Sequence, residues 1–161
     1  MVEMKVHGLF FDSETNQSVV VLKEEATGRT LPIWVGLFEA NAITMGIEHT
    51  WTPRPMTHDL LKNLIDGMNA TVRDITVNDL KSNTFYAVIN LEIGGRAVQI
   101  DSRPSDAIAL ALRTSSPIFV DEKVLDSAGH FDPKATKKDG SDKWIDDLFD
   151  KLKPEDFKTE M

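Results

Sequence analysis

Cysteine is absent from the chain, so neither a disulfide framework nor thiolate chemistry is available to it. Tyrosine occurs once, beside three tryptophans and eight phenylalanines. Most of those Phe and Trp positions follow the apolar periodicity of a core, so few aromatic faces are expected on the surface to stack against bases. No apolar run approaches the roughly 18–20 residues of a membrane-spanning helix. The N-terminal MVEMKVHGLFFDSETNQ lacks the basic start, apolar run and small-residue cleavage site of a secretory signal. With cysteine missing as well, the expectation is a cytoplasmic protein without membrane contact. Positive charge is also scarce: 18 Lys+Arg against 26 Asp+Glu leave a net charge of −8. Apart from Lys134, Lys137 and Lys138 there is no basic cluster. That argues against strong, sequence-independent binding to a phosphate backbone, which depends on releasing many counterions.

What remains is an ordinary globular composition, 41% hydrophobic and 27% charged over 161 residues, enough for one domain around one core. Residues 2–12 and 18–26 alternate or run apolar as strands do, and ATGRT supplies a Gly turn into a third strand, TLPIWV. GLFEANAITMGIEH follows as a helix, with Phe38, Ala42 and Met45 around one face. TWTPRPM breaks it, since two prolines within three residues cannot continue a helix. Thr57 is the expected N-cap of the next helix, whose apolar stripe is Leu60, Leu61, Leu64, Ile65 and Met68.

The order then repeats. TVRDITVNDL and TFYAVINLEI are strands joined by a Lys-Ser-Asn turn, GG turns into RAVQID, and DSRPSDAIALALR opens a helix. PIFVDEKV is expected to be a last strand. LPIWVGLFEANAITMGI lies without gaps over VQIDSRPSDAIALALRT, which sets Ile33 on Ile100 and Glu39 on Asp106. The fold class expected is therefore α+β: one compact domain over residues 1–125, a mixed sheet, and an internal duplication of a strand-strand-strand-helix unit. A polar linker over 126–141 and a C-terminal amphipathic helix and tail over 142–161 complete the chain. In that helix Trp144, Ile145, Leu148, Phe149 and Leu152 form one face, which must pack on the parent domain or on a second copy in a homo-oligomer such as a dimer.

Two short stretches hold the candidate site residues. In DSRPSD, Arg103 falls at the N-cap, Pro104 at the first helical position and Asp106 at the third, where a carboxylate meets the positive end of the helix dipole. Gly36 and Glu39 occupy the same places in the earlier helix. Capping explains Pro104, Ser105 and Asp106; it leaves Asp101, which interrupts an apolar strand end, and Arg103, a poor N-cap. In RPMTHDLL, capping covers Thr57 and Asp59 but not Arg54 or His58. Both stretches read Arg-Pro, hydroxyl, Asp at a helix start, so Arg54, Arg103 and Ser105 could converge on an anion. Glu39, Asp59, Asp101 and Asp106 could hold Mg²⁺ or Mn²⁺, which take oxygen ligands. No phosphate-binding Gly-rich loop, Gly-x-Ser-x-Gly elbow or His pair at metal spacing occurs, His7, His49, His58 and His130 being scattered.

LPIWVGLFEANAI, RPMTHDLL and VQIDSRPSDAIALALRTSSPIFV, in this order and spacing, resemble the bifunctional nuclease family over about residues 1–125. The tail with LKPEDF is similar to the short extension of bacterial members. The resemblance implies a compact α+β fold and RNase and DNase activity, and the family's recurrent polar residues fall on Glu39, Arg54, His58, Asp59, Asp101, Arg103, Ser105 and Asp106. The reading that follows is a metal-assisted nuclease. In it Asp101, Asp106 and Glu39 hold the cation, Asp101 counting also among the catalytic residues, His58 is the general acid or base, and Arg54 and Arg103 stabilise the phosphate's charge. Two other readings stand beside it. One is a non-enzymatic module binding an anion, a nucleotide or a protein partner; the other is a buried Arg–carboxylate network that only fixes helix starts.

Overall fold

A computed structural model describes residues 1–12 and 16–128 of the chain. The expected linker, beyond its first residues, and the expected C-terminal helix lie outside the described residues. Seven strands form one mixed sheet: β1 (Val2–Asp12), β2 (Gln17–Lys23), β3 (Thr30–Val35), β4 (Ala70–Lys81), β5 (Thr84–Ile93), β6 (Arg96–Ser102) and β7 (Ile118–Val120). The helices are α1 (Leu37–Ile47), α2 (Thr57–Gly67), α3 (Pro104–Thr114) and α4 (Glu122–Ser127).

The strand order is β3-β2-β1-β7-β4-β5-β6. Each half of the sheet is an antiparallel three-stranded meander followed by a helix, β1-β2-β3-α1 and β4-β5-β6-α3, as the repeated sequence pattern implies. The short β7 joins the halves, antiparallel to β1 and parallel to β4. Local chemistry sets the turns. Ser82 and Asn83 both have positive φ, as do Gly94 and Gly95, the backbone that two-residue hairpins of type I′ require. Pro32 is tolerated because β3 is an edge strand. Val19 to Leu22 of β2 are all buried, so that strand is covered on both faces. On one of those faces Val20 and Leu22 share one continuous core with Leu31 and Ile33 of β3, Ile75 and Val77 of β4, Ile43 of α1, and Ile108 and Leu110 of α3. α3 packs between α1 and α2 and against β4 and β5.

Four local expectations are corrected. Thr57 is the first residue of α2, not its cap; Met56 is the N-cap, and Asp59 does the capping by accepting the Met56 backbone N–H at 3.0 Å. PIFVDEKV is strand only through Val120, because the Asp121 carboxylate accepts the Lys123 N–H and starts α4. The stripe of α2 is not a core face: of its five residues only Ile65 is buried. Nor are the aromatics mostly internal. Trp34, Phe38 and Trp51 are all exposed, Trp51 by 81%, because β3 is an edge, Phe38 sits at the open start of α1, and Trp51 lies in the loop before α2.

Candidate active site

The two halves of the repeat bring their helix starts together. Arg103 is the N-cap of α3, in extended conformation with φ −67° and ψ 143°, and its side chain bridges the halves. Its Nε donates to Asp106 Oδ2 at 2.8 Å, and its Nη1 donates to Glu39 Oε1 at 3.0 Å. Asp106 and Glu39 are the residues that the gapless superposition set on each other, both in the first turn of their helices. Gly36 leaves room for the Glu39 carboxylate: a Cβ there would push the Glu39 side chain out of its present place. The guanidinium is held between two carboxylates at the N-termini of two eleven-residue helices, where partial positive charge gathers.

Asp106 has a second partner from α2. His58 Nε2 lies 2.9 Å from Asp106 Oδ1. Burial pushes the Asp106 carboxyl up, but the hydrogen bonds and charges of Arg103 and His58 outweigh it and hold the group below the ordinary aspartate range. An ionised carboxylate only accepts, so Nε2 carries the hydrogen, and a neutral His58 ring has its lone pair on Nδ1. Arg103 is pulled above the usual arginine value by the hydrogen bonds it donates to Asp106 and Glu39. Its side chain is nevertheless 63% exposed, and Nη2 takes part in neither bond, so the guanidinium keeps donors for an external anion. A buried network that merely fixes helix starts does not describe it.

A cleft of about 310 Å³ opens beside this bridge. It is walled by Trp34 at the end of β3, Gly36 and Glu39 at the start of α1, Asn83 to Phe85 at the β4–β5 turn, and Arg103 to Ser105. The two outer ends of the sheet therefore face each other across it. Ser105 lines it although largely buried. His58 is not on the cleft wall; its side chain, 11% exposed, lies behind Asp106 and orients it.

The other candidates lie apart. Asp101 is exposed on β6 opposite Val88 of β5 and has no ion pair among the described residues. Arg54 is exposed in the loop before α2, also without an ion-pair partner among them. Asp59 belongs to a separate structural pin: it accepts Arg113 Nε at 2.8 Å as well as the Met56 N–H. Burial raises its carboxyl, and these two donors bring it below the usual range. Glu39, Asp59, Asp101 and Asp106 thus do not form one cation cage. No three His, Asp or Glu side chains among the described residues are set to hold a metal ion.

Arg113 is the residue that sequence reasoning missed. Its side chain is only 8% exposed, and it also donates through Nη1 to the carbonyls of Ala42 at 3.0 Å and Ala109 at 2.8 Å. It ties α1, α2 and α3 together and so fixes where His58 stands. Gly46 makes room for it, since a Cβ there would come to 3.0 Å from Arg113 Nη1 and from the Leu112 side chain.

No helix among the described residues is long and apolar enough to cross a membrane. Comparison with known proteins matches residues 20–133 to the bifunctional nuclease domain. An uncharacterized protein of Mycobacterium tuberculosis is 37% identical over 166 residues, covering 99% of both chains. Bifunctional nuclease 1 of Arabidopsis thaliana is 30% identical over 121 residues, which are 73% of this chain and 37% of the plant protein. Bifunctional nuclease 2 of the same plant is 32% identical over 116 residues, 70% of this chain and 35% of its own length. The chain belongs to the bifunctional nuclease domain family.

Proposed function

We propose that the cleft between Trp34 and Arg103 is a nuclease site that cleaves phosphodiester bonds of RNA, DNA or both. The observation that carries this reading is Arg103, a solvent-reachable guanidinium held by two carboxylates at two converging helix starts. Such a group binds a phosphate oxygen through its remaining N–H donors and favours the charge that grows in the transition state. Trp34 offers a base an aromatic face within the same cleft. Glu39 bonds Arg103 through Oε1 alone, which leaves Oε2 to accept a proton from an attacking water. The new bond is then water oxygen to phosphorus, the bond broken is phosphorus to the leaving oxygen, and that oxygen takes its proton from solvent. His58 is a positioning residue acting through Asp106, which keeps Arg103 aimed. The names of the plant relatives support nuclease chemistry at family level.

A divalent cation does not fit these side chains as they stand. Arg103 occupies the space between Glu39 and Asp106, Asp59 spends both oxygens on Met56 and Arg113, and Asp101 stands on β6. No step is therefore routed through a metal.

A second reading, a non-catalytic module that binds a nucleotide or anion, is favoured by the exposed Arg103 guanidinium beside the cleft, a binding group that requires no chemistry. One experiment separates the two: purified protein with 5′-labelled single-stranded RNA and DNA, each with and without EDTA, for wild type, Glu39→Gln and Arg103→Met. The nuclease reading expects cleavage that falls about 10²–10³-fold in Arg103→Met, the usual loss when one transition-state donor is removed. It also expects a comparable fall in Glu39→Gln. Equal cleavage by all three proteins overturns it, and saturable binding without turnover establishes the module.

A further inference from the structure

α2 carries an apolar stripe that nothing in the described fold covers. Leu60, Leu64 and Met68 recur every fourth residue along it, Leu61 lies beside them, and all four are exposed, Leu64 by 53%. Met56, one four-residue step before Leu60, continues the row, and Trp51 in the preceding loop is exposed as well. A row from Leu60 to Met68 spans eight residues, about 12 Å of helix. Such a surface marks an interaction site rather than scattered exposed hydrophobes.

We propose that the occupant is this chain's own C-terminal segment, residues 142–153. Its sequence, DKWIDDLFDKLK, sets Trp144, Ile145, Leu148, Phe149 and Leu152 at i, i+1, i+4, i+5 and i+8, a two-row apolar face that also spans eight residues. Two helical faces of equal length lie ridge into groove over their whole extent. Charge is close to balanced on both sides. The segment carries Asp142, Asp146, Asp147 and Asp150 against Lys143, Lys151 and Lys153. Lys62 of α2 is paired with Asp66 at 2.7 Å, so the apolar faces, not charge, bring the two together.

Reach and area favour the tethered segment over a second copy. Fifteen residues lie between Ala128, the last described, and Trp144; extended, that stretch covers about 50 Å. A folded domain of this size has a radius of gyration of about 14 Å, so the segment reaches α2 from any starting point. A short tether also supplies a millimolar effective concentration. One face of an eleven-residue helix is roughly 16 Å by 10 Å, well short of the ~800 Å² that each partner of a stable complex buries.

The absence of native cysteine makes the test clean. The full-length Leu64→Cys/Leu148→Cys protein is oxidised at low micromolar concentration and followed by non-reducing gel and intact mass. A control pair, Arg96→Cys/Leu148→Cys, places the first thiol on the edge strand β6 instead. Docking predicts an intramolecular disulfide in the first pair, monomeric and about 2 Da lighter than the reduced protein, formed at least ~10-fold faster than in the control. Equal rates in the two pairs, no link, or a linked dimer in place of the monomer overturns the proposal. A linked dimer of the single variant Leu64→Cys assigns the stripe to a second copy.

Discussion

Replacing Arg113 with methionine keeps the buried aliphatic stem and removes the fork that joins three helices. Three hydrogen bonds are lost, to Asp59, Ala42 and Ala109. Bonds that involve a charged group contribute about 1.5–3 kcal/mol each, but that sum is an overestimate here. Asp59 is 35% exposed, so water recovers part of its loss, and the two carbonyls keep their own helix hydrogen bonds. The expected net loss is about 2–4 kcal/mol, a fall in Tm of roughly 6–12 °C for a chain of this size. Arg113→Lys retains the charge without the fork and should recover less than half of it. The second consequence is positional: with Asp59 unpinned, the start of α2 moves and His58 loses its register with Asp106. Thermal and urea unfolding followed by circular dichroism, with cleavage measured well below the transition, checks both parts. A Tm within 2 °C of wild type would refute the pin.

Two further outcomes follow from the same geometry. Asp59 and Asp106 are both held below the ordinary aspartate value of 3.8, so the unfolded chain binds more protons than the folded one as the pH drops past it. Their contribution is fully present above that value and is lost as pH falls through the lower, folded-state values; urea midpoints should therefore decline below about pH 4, and by less in Asp106→Asn. A midpoint that rises on acidification there contradicts the assignment. The cleft also predicts weak salt dependence. With one phosphate contact, from Arg103, binding of a single strand should weaken only about 3-fold between 50 and 200 mM salt. A loss above 100-fold would mean a basic surface elsewhere carries the binding.

The parts legible in the sequence are those governed by local chemistry. Hairpins at Ser82-Asn83 and Gly94-Gly95, the Arg103-Pro104 helix start and the repeated meander all follow from turn residues, caps and periodicity. The superposition set Glu39 on Asp106 as equivalent helix-start carboxylates; that both meet one arginine came only from the fold. Non-local facts were out of reach. That β7 joins the two halves depends on pairing with β1, over a hundred positions away, and with β4, 43 positions away. Arg113 looks like an ordinary cation in the last turn of a helix, a favourable place in its own right. Only the close approach of α1 at Gly46 reveals its second task. His58 could be read as a surface residue or an acid–base catalyst, and packing of α2 on α3 makes it neither exposed nor a cleft residue. The apolar stripe of α2 shows the limit of periodicity: it says that a face will be covered, not by what.

The central claim is that Arg103 and Trp34 meet a nucleic-acid strand in one cleft. The most direct measurement is the affinity of a short single-stranded oligonucleotide for wild type, Trp34→Ala and Arg103→Met, each shown to keep the wild-type Tm. Stacking on one aromatic face contributes about 1–3 kcal/mol, so Trp34→Ala should weaken binding by about 5- to 150-fold. Arg103→Met should weaken it as well and abolish most cleavage. Wild-type affinity and cleavage in both variants would place the site elsewhere on the molecule.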